Sequence, residues 1–285
     1  MISPIANLRL GASTNGGYGT TVEDPGILDT APDTTTDDYS REQQTNNIRV
    51  TREYVEPLLR RLSCRSVLDV GCGVGQSVLT LLEDGFDAYG VDLPGLVPHW
   101  SELRCPADRF FVVAPDIHVL PFEDGALDFA YSFGVMEHIG TEDCHSTRRA
   151  DYHAVRRYWL REMFRTVRVG GYVLLGGPNR NFPLDFSHGL DAAATRAERW
   201  LSSKAGVSVH RTWGEYFLWG YRDVPRYLEG LPFEMTALSI RKLLLFGRVP
   251  SVFRPLAHLY VDHLPDALQG TGCNPWVMAL IRRTA

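Results

Sequence analysis

The sequence predicts a doubly wound α/β fold built on a mostly parallel sheet, and three observations carry that prediction. Val67, Leu68 and Val70 form an apolar run, as in a strand buried on both faces, that passes directly into Gly71, Gly73 and Gly75 and then into a helical pattern. A second apolar run, Phe86 to Val91, ends in Asp92, 21 residues after Gly71, where an acid can hydrogen-bond both hydroxyls of a ribose. Further short apolar runs at 109–114, 127–132 and 171–175 alternate with helical periodicity, as βα units with parallel strands require.

Bulk composition narrows the function classes. A chain of 285 residues with 44% hydrophobic and 22% charged residues is long for one average domain, yet fits a single α/β domain with insertions and a full core. The net charge of −5 argues against nucleic acid as the main partner, because phosphate binding needs clustered Lys and Arg. Five cysteines, Cys64, Cys72, Cys105, Cys144 and Cys273, show no C-x-x-C spacing, the pattern of reduced thiols in a cytoplasmic protein and not of a zinc site. The sequence opens without a basic segment leading into an apolar core, and no apolar run approaches the roughly 20 residues needed to span a bilayer. A cytoplasmic location is therefore expected.

In chain order, residues 1–40 are rich in Gly, Thr, Asp and Pro and read as a mobile leader, with too few apolar groups to repay ordering. Residues 41–285 read as one domain. From Arg41 to Leu62, Ile48, Val55, Leu58, Leu59 and Leu62 recur at helical spacing, and Pro57 breaks or restarts that helix. After the glycine turn a helix from Val74 to Glu83 lays Val78, Leu79 and Leu82 on the sheet and stops at Gly85. Pro94 and Gly95 open a short segment with Trp100 and Leu103. Arg109 to Ala114 reads as a third strand, followed by Asp116, and Leu127 to Ser132 as a fourth. Gly134 to Cys144, containing Glu137 and His138, is expected to start a helix. Asp151 to Val167 has the strongest helical pattern, with Val155, Tyr158, Trp159, Met163, Phe164 and Val167 on one face and arginines on the other. It crosses over to the strand that ends at Leu175.

Beyond that strand, residues 178–190 mix aromatic, carboxylate and imidazole groups just past the carboxyl end of the sheet, where open α/β folds bind ligands. The stretch to 231 adds Trp200, Trp213, Tyr216, Phe217, Trp219, Tyr221 and Tyr227, too many aromatics for a simple connection. Residues 180–231 are therefore expected to cap a substrate. A second insertion spans 241–272. Within 239–255, Arg241, Lys242, Arg248 and Arg254 alternate with apolar residues and no acidic group intervenes. Such a segment can lie in a membrane interface, but Pro250 and Pro255 interrupt any long amphipathic helix and the chain as a whole is acidic.

Asp69 is informative about the ligand. It precedes Gly71 by two positions at the end of the first strand, where a pyrophosphate calls for backbone N–H groups and not a carboxylate. A ligand with an ammonium or sulfonium group gains from that charge, whereas NAD or ATP is repelled. S-adenosylmethionine carries both cations.

Motifs at Val67–Gln76, Tyr89–Leu93, Asp116–Phe122, Phe129–His138 and Val169–Asn179 occur in the order seen in class I S-adenosylmethionine-dependent methyltransferases, and the chain resembles their type 11, small-molecule branch. The resemblance implies a Rossmann-like sheet of seven strands, with 233–240 as the sixth strand and 275–282 as an antiparallel seventh, and with insertions after strands five and six. It implies that Asp69, Gly71, Cys72, Gly73, Gly75 and Gln76 hold the methionine end and that Asp92 and Leu93 hold the ribose. Asp116 and Ile117 would bind the adenine, and Ser132 and Phe133 would pass close to the sulfonium. A helix ahead of the first strand often lies over the cofactor in this family, which makes Tyr39, Arg49 and Tyr54 candidate lid residues. In quinone-pathway members a further Glu three positions before the equivalent of Glu137 helps bind magnesium. Here that position is Gly134, so no metal is expected.

A sulfonium methyl is already activated, so the protein has to align the reactants and remove a proton if the acceptor is a hydroxyl. His138 and His188 are the candidate bases, His188 with Asp185 to orient it, since imidazole titrates nearest neutrality. The expected reaction is methylation of a small molecule, at oxygen first, with carbon or nitrogen as other acceptors. A quinone-like or lipid-linked acceptor, and a protein that binds the cofactor without transferring its methyl group, are the competing readings.

Overall fold

The computed structural model describes residues 44–285 apart from 104, 114–118, 143–145, 242 and 248. The leader, Tyr39, Asp116, Ile117 and Cys144 lie outside the described residues. Seven strands form the main sheet: β1 Ser66–Val70, β2 Asp87–Asp92, β3 Phe110–Val112, β4 Leu127–Phe133, β5 Val167–Pro178, β6 Phe233–Ala237 and β7 Trp276–Arg283. Their spatial order is β3-β2-β1-β4-β5-β7-β6. All neighbours run parallel except β7, which is antiparallel to both β5 and β6. The order reverses between β1 and β4, so the connections leaving their carboxyl ends diverge and open a crevice there.

Strand alternation divides the core between the two sheet faces. Leu68, Val70, Ala130 and Val173 belong to one apolar cluster with Trp159 and Met163, and Val67, Phe129, Tyr131 and Leu174 to another with Leu59 and Leu81. Because both faces are covered, the central strands read as continuous apolar runs in the sequence.

The α-helices of the described residues include α1 Glu56–Arg61, α2 Gln76–Glu83, α3 Val97–Glu102, α4 Tyr152–Thr166, α5 Arg196–Ala205, α6 Asp223–Tyr227 and α7 Arg254–Asp262. Residues 44–50 are also helical and join α1 through one π-turn at Thr51–Val55. Pro57 explains that turn: it has no N–H to give to the carbonyl four residues back, and the widened turn is closed by the Glu56 N–H on the Thr51 carbonyl. Gly85, at φ +87°, follows the end of α2 as expected.

Four expectations need correction. Residues 134–140 form no helix: Gly134 at φ +67° and Gly140 at φ +72° bracket them, and the His138 and Ile139 N–H groups make turn bonds to Val135 and Met136. On α4 the buried stripe is rotated, so Tyr158 is 63% exposed while Arg156 is 1% exposed. On α2, Leu81 and not Leu79 or Leu82 is fully buried. In the aromatic insertion Trp200 and Trp213 are exposed, whereas Tyr216, Phe217, Trp219, Tyr221 and Tyr227 are buried. The Tyr221 hydroxyl accepts from the Asn274 side-chain amide and from the Met278 N–H on β7, so Tyr221 ties the insertion to the sheet.

Candidate active site

The β1–α2 turn is built on conformations that suit glycine. Gly71 has φ +85°, and a Cβ there would stand 2.4 Å from Val135 Cγ2. Gly75 has φ +80°, with the Phe110 ring 2.7 Å from the position of a Cβ. Trp100 of α3 stacks on Phe110 and donates its Nε1–H to the Gly73 carbonyl at 2.8 Å. This fixes the turn from the outside.

Two carboxylates stand at the strand ends beside it. Asp69 is 5% exposed and accepts the Tyr131 hydroxyl at 2.9 Å. Burial pushes its carboxyl up to about 7, against the hydrogen bonds from Tyr131 and Ser77, with the neighbouring charge of Asp92 adding to the rise. Asp92 accepts the Gly73 N–H at 2.6 Å and the Leu93 N–H at 2.7 Å. Burial raises its pKa, and these two N–H groups oppose the rise. Each oxygen keeps capacity for a further donor, such as a ribose hydroxyl.

A cavity of about 580 Å³ opens at this point, lined by Asp69, Gly71, Cys72, Gly73, Asp92 and Leu93 on the sheet side. Phe133, Val135 and His138 line it from the β4 end. Its cover comes from Asn46, Asn47, Val50, Thr51 and Val55 ahead of β1 and from Leu243 and Leu244 in the second insertion. The expected lid segment thus lines the cavity, but not through Arg49 or Tyr54. Arg49 instead donates to the Leu243 carbonyl at 2.6 Å and Tyr54 to the Ser239 carbonyl at 2.7 Å, tying the two covering segments together.

Gly75, Gln76 and Ser132 do not line the cavity. Ser132 is 2% exposed and donates to the Val70 carbonyl at 2.6 Å, because its neighbours Tyr131 and Phe133 occupy the cavity side of β4. Tyr131 is the residue that this alternation would have identified. Asp116 and Ile117 lie outside the described residues. No residue of 180–231 lines the cavity; that insertion approaches it through His188, whose ring centroid is 5.1 Å from that of His138.

The two histidines meet over a buried acid. Glu137 is fully buried and its Oε2 accepts the Trp219 Nε1–H at 3.2 Å. His188 Nδ1 is 3.2 Å from Asp185 Oδ2, and its Nε2 is 3.7 Å from Glu137 Oε1. Arg156 holds the turn in place, donating to the carbonyls of Ile139 at 2.9 Å, Glu137 at 3.0 Å and Phe217 at 2.6 Å. Sequence periodicity had counted Arg156 among solvent-facing arginines, since nothing in the pattern of α4 marks a buried cation.

A glycine turn and two carboxylates at strand ends line a cavity at the sheet's switch point, the place where doubly wound α/β proteins bind their ligands. Residues 68–175 match the family model described as methyltransferase domain. The chain is 29% identical over 127 residues to 2-methyl-6-phytyl-1,4-hydroquinone methyltransferase of Synechocystis sp., covering 42% of this chain and 36% of that one. It is 27% identical over 134 residues to a probable S-adenosylmethionine-dependent methyltransferase of Mycolicibacterium smegmatis, covering 47% and 45%. The match thus spans less than half the length of either relative. Among solved structures, the methyltransferase domain of bacterial CtHen1-C superposes with a TM-score of 0.49 at 17% identity, covering 84% of this chain and 100% of that one. These matches support a class I S-adenosylmethionine-dependent methyltransferase domain over residues 68–175, and S-adenosylmethionine is the methyl donor that such a domain implies.

Proposed function

We propose that the chain transfers a methyl group from S-adenosylmethionine to an oxygen of a small-molecule acceptor. The observation that carries this reading is that His138 lines the same cavity as Asp69 and Asp92. The acids bind the ends of the donor, the sulfonium lies between them and β4, and an acceptor hydroxyl near His138 can lose its proton as the methyl moves. His188, beside Asp185, is the second candidate base, acting through His138. Phe133, Val135, Ile139, Leu243 and Leu244 supply apolar lining, which suits an acceptor with an apolar body.

A quinone-like or lipid-linked acceptor is the second reading. It is supported by the name of the Synechocystis relative and by the segment after β6, which lines the cavity with Leu243 and Leu244 while exposing Leu245, Val252 and Phe253. Incubation with isotopically labelled methyl donor and separate polar and lipid extracts tests both. Label in an alkali-stable methyl ether from the polar extract is the expected result, and label confined to the lipid extract favours the second reading. Donor binding without transfer to either extract would identify a cofactor-binding protein and overturn the enzymatic reading.

A further inference from the structure

We propose that Glu137, His138 and His188 bind one divalent transition-metal ion at the wall of the cavity, with Asp185 orienting His188. One ligand atom from each of the three residues lies within 4.8 Å of the other two. Ligands on a tetrahedral ion with bonds of about 2.0–2.2 Å stand roughly 3.3–3.6 Å apart. The 3.7 Å between Glu137 Oε1 and His188 Nε2 is close to that spacing, and too long for a hydrogen bond. His138, whose ligand atom lies within 4.8 Å of both others, enters the same sphere by a side-chain adjustment.

The state of Glu137 is the second observation. Its side chain is fully buried, yet Oε1 has no hydrogen-bond partner among the described residues, while Oε2 has Trp219. A buried carboxylate oxygen left without a donor is costly, and a cation in front of it removes that cost. The surroundings are also arranged as around a metal ligand. Asp185 is 2% exposed, and its Oδ2 stands 3.2 Å from His188 Nδ1 without forming a hydrogen bond to it; this carboxylate favours the tautomer with its proton on Nδ1, in which Nε2, 3.7 Å from Glu137 Oε1, is the ligand atom. Arg156 pins the carbonyls on either side of His138 and that of Phe217, so the turn and the insertion that supply the ligands are held together.

Two imidazoles and one carboxylate suit zinc, iron(II) or cobalt(II), whereas magnesium prefers oxygen ligands. Glu137 and His138 lie within residues 68–175, the part matched by the methyltransferase-domain model, whereas His188 and Asp185 lie beyond it, so the insertion completes the ligand set. An ion there stands at the wall that His138 contributes to the cavity; with the lone pairs of both histidines on the metal, lowering the proton affinity of an acceptor hydroxyl as a Lewis acid replaces their role as bases. Without a metal, a protonated His188 between Asp185 and Glu137 is the competing occupant of the same space.

Cobalt(II) titration of chelator-treated full-length protein, without methyl donor or acceptor, separates these cases and is independent of the methyl-transfer reading. The expected result is visible d–d absorption saturating at one cobalt per chain and displaced by zinc. His188→Asn should weaken cobalt binding at least 100-fold and Asp185→Asn by 10–100-fold, with His210→Asn unchanged. Because Glu137 is buried and its variants risk misfolding, the partly exposed His188 carries the test, with circular dichroism to check the fold. No saturable cobalt spectrum in the folded native protein, or an unchanged spectrum in folded His188→Asn, overturns the proposal.

Discussion

Replacing Asp69 by Asn separates the cost of this carboxylate to the fold from its value to the ligand. In the folded protein its pKa is raised to about 7, so the native state holds this proton more tightly than the unfolded chain does. The associated stability is fully present below the ordinary aspartate range and is lost as pH rises from about 4 to 7. A rise of about three units corresponds to a penalty on the order of 4 kcal/mol above pH 7. Asn carries no charge and can still accept the Tyr131 hydroxyl. Urea unfolding should therefore show Asp69→Asn to be more stable than the native protein at pH 8, by on the order of 2–3 kcal/mol more than at pH 5. Binding should change in the opposite sense. Calorimetry should find weaker S-adenosylmethionine binding to the variant at pH 7.5, while native affinity falls by up to tenfold per unit as pH drops below 7. The variant should lose that dependence, and neutral adenosine should show little of it in either protein. A stability difference that is the same at both pH values would refute the charged-carboxylate argument, and a pH-independent native affinity would refute the pairing of Asp69 with the cationic end.

Asp92→Ala should weaken S-adenosylmethionine binding by about 1.5–3 kcal/mol with the fold retained, through loss of charged hydrogen bonds; unchanged calorimetric affinity in a folded variant would remove Asp92 from the ribose role. Arg156→Met strips the donors from three carbonyls in the buried turn and should cost on the order of 3–5 kcal/mol in denaturant unfolding. A loss below about 1 kcal/mol would show that the guanidinium does not hold the turn. The exposed apolar residues Val252, Phe253, Leu256 and Leu259, with basic residues nearby, give vesicle flotation a defined outcome. Salt-sensitive co-flotation with anionic lipid is expected if they engage a membrane interface, and protein that stays at the bottom at low and high salt would exclude that role.

The cavity's lining was legible where it depends on local chain geometry. A buried parallel strand leaves an apolar run, a turn with positive φ leaves glycines, and an acid at a strand end sits at a fixed spacing, so Asp69, Gly71, Gly73 and Asp92 could be read directly from the sequence. The seven strands and the antiparallel course of the last followed from the resemblance and agree with the observed sheet, whereas the spatial order of the strands is seen only in the structure. Ser132 was named because the resemblance pointed to a strand end, while the alternation of β4 turns Tyr131 and Phe133 toward the cavity.

Long-range packing decided what the sequence could not. Glu137 and His188 are 51 positions apart, and no periodicity connects a turn after β4 with a loop after β5. They meet only because the insertion folds back onto the sheet, with Trp219 on Glu137 and Phe217 on Arg156. The same distinction applies to the cavity's cover: helical spacing indicated a helix ahead of β1, but its docking on Leu243 and Ser239 through Arg49 and Tyr54 depends on contacts between segments nearly 200 positions apart. Such contacts are set by complementary surfaces formed after the elements exist, and they leave no local pattern in the order of residues.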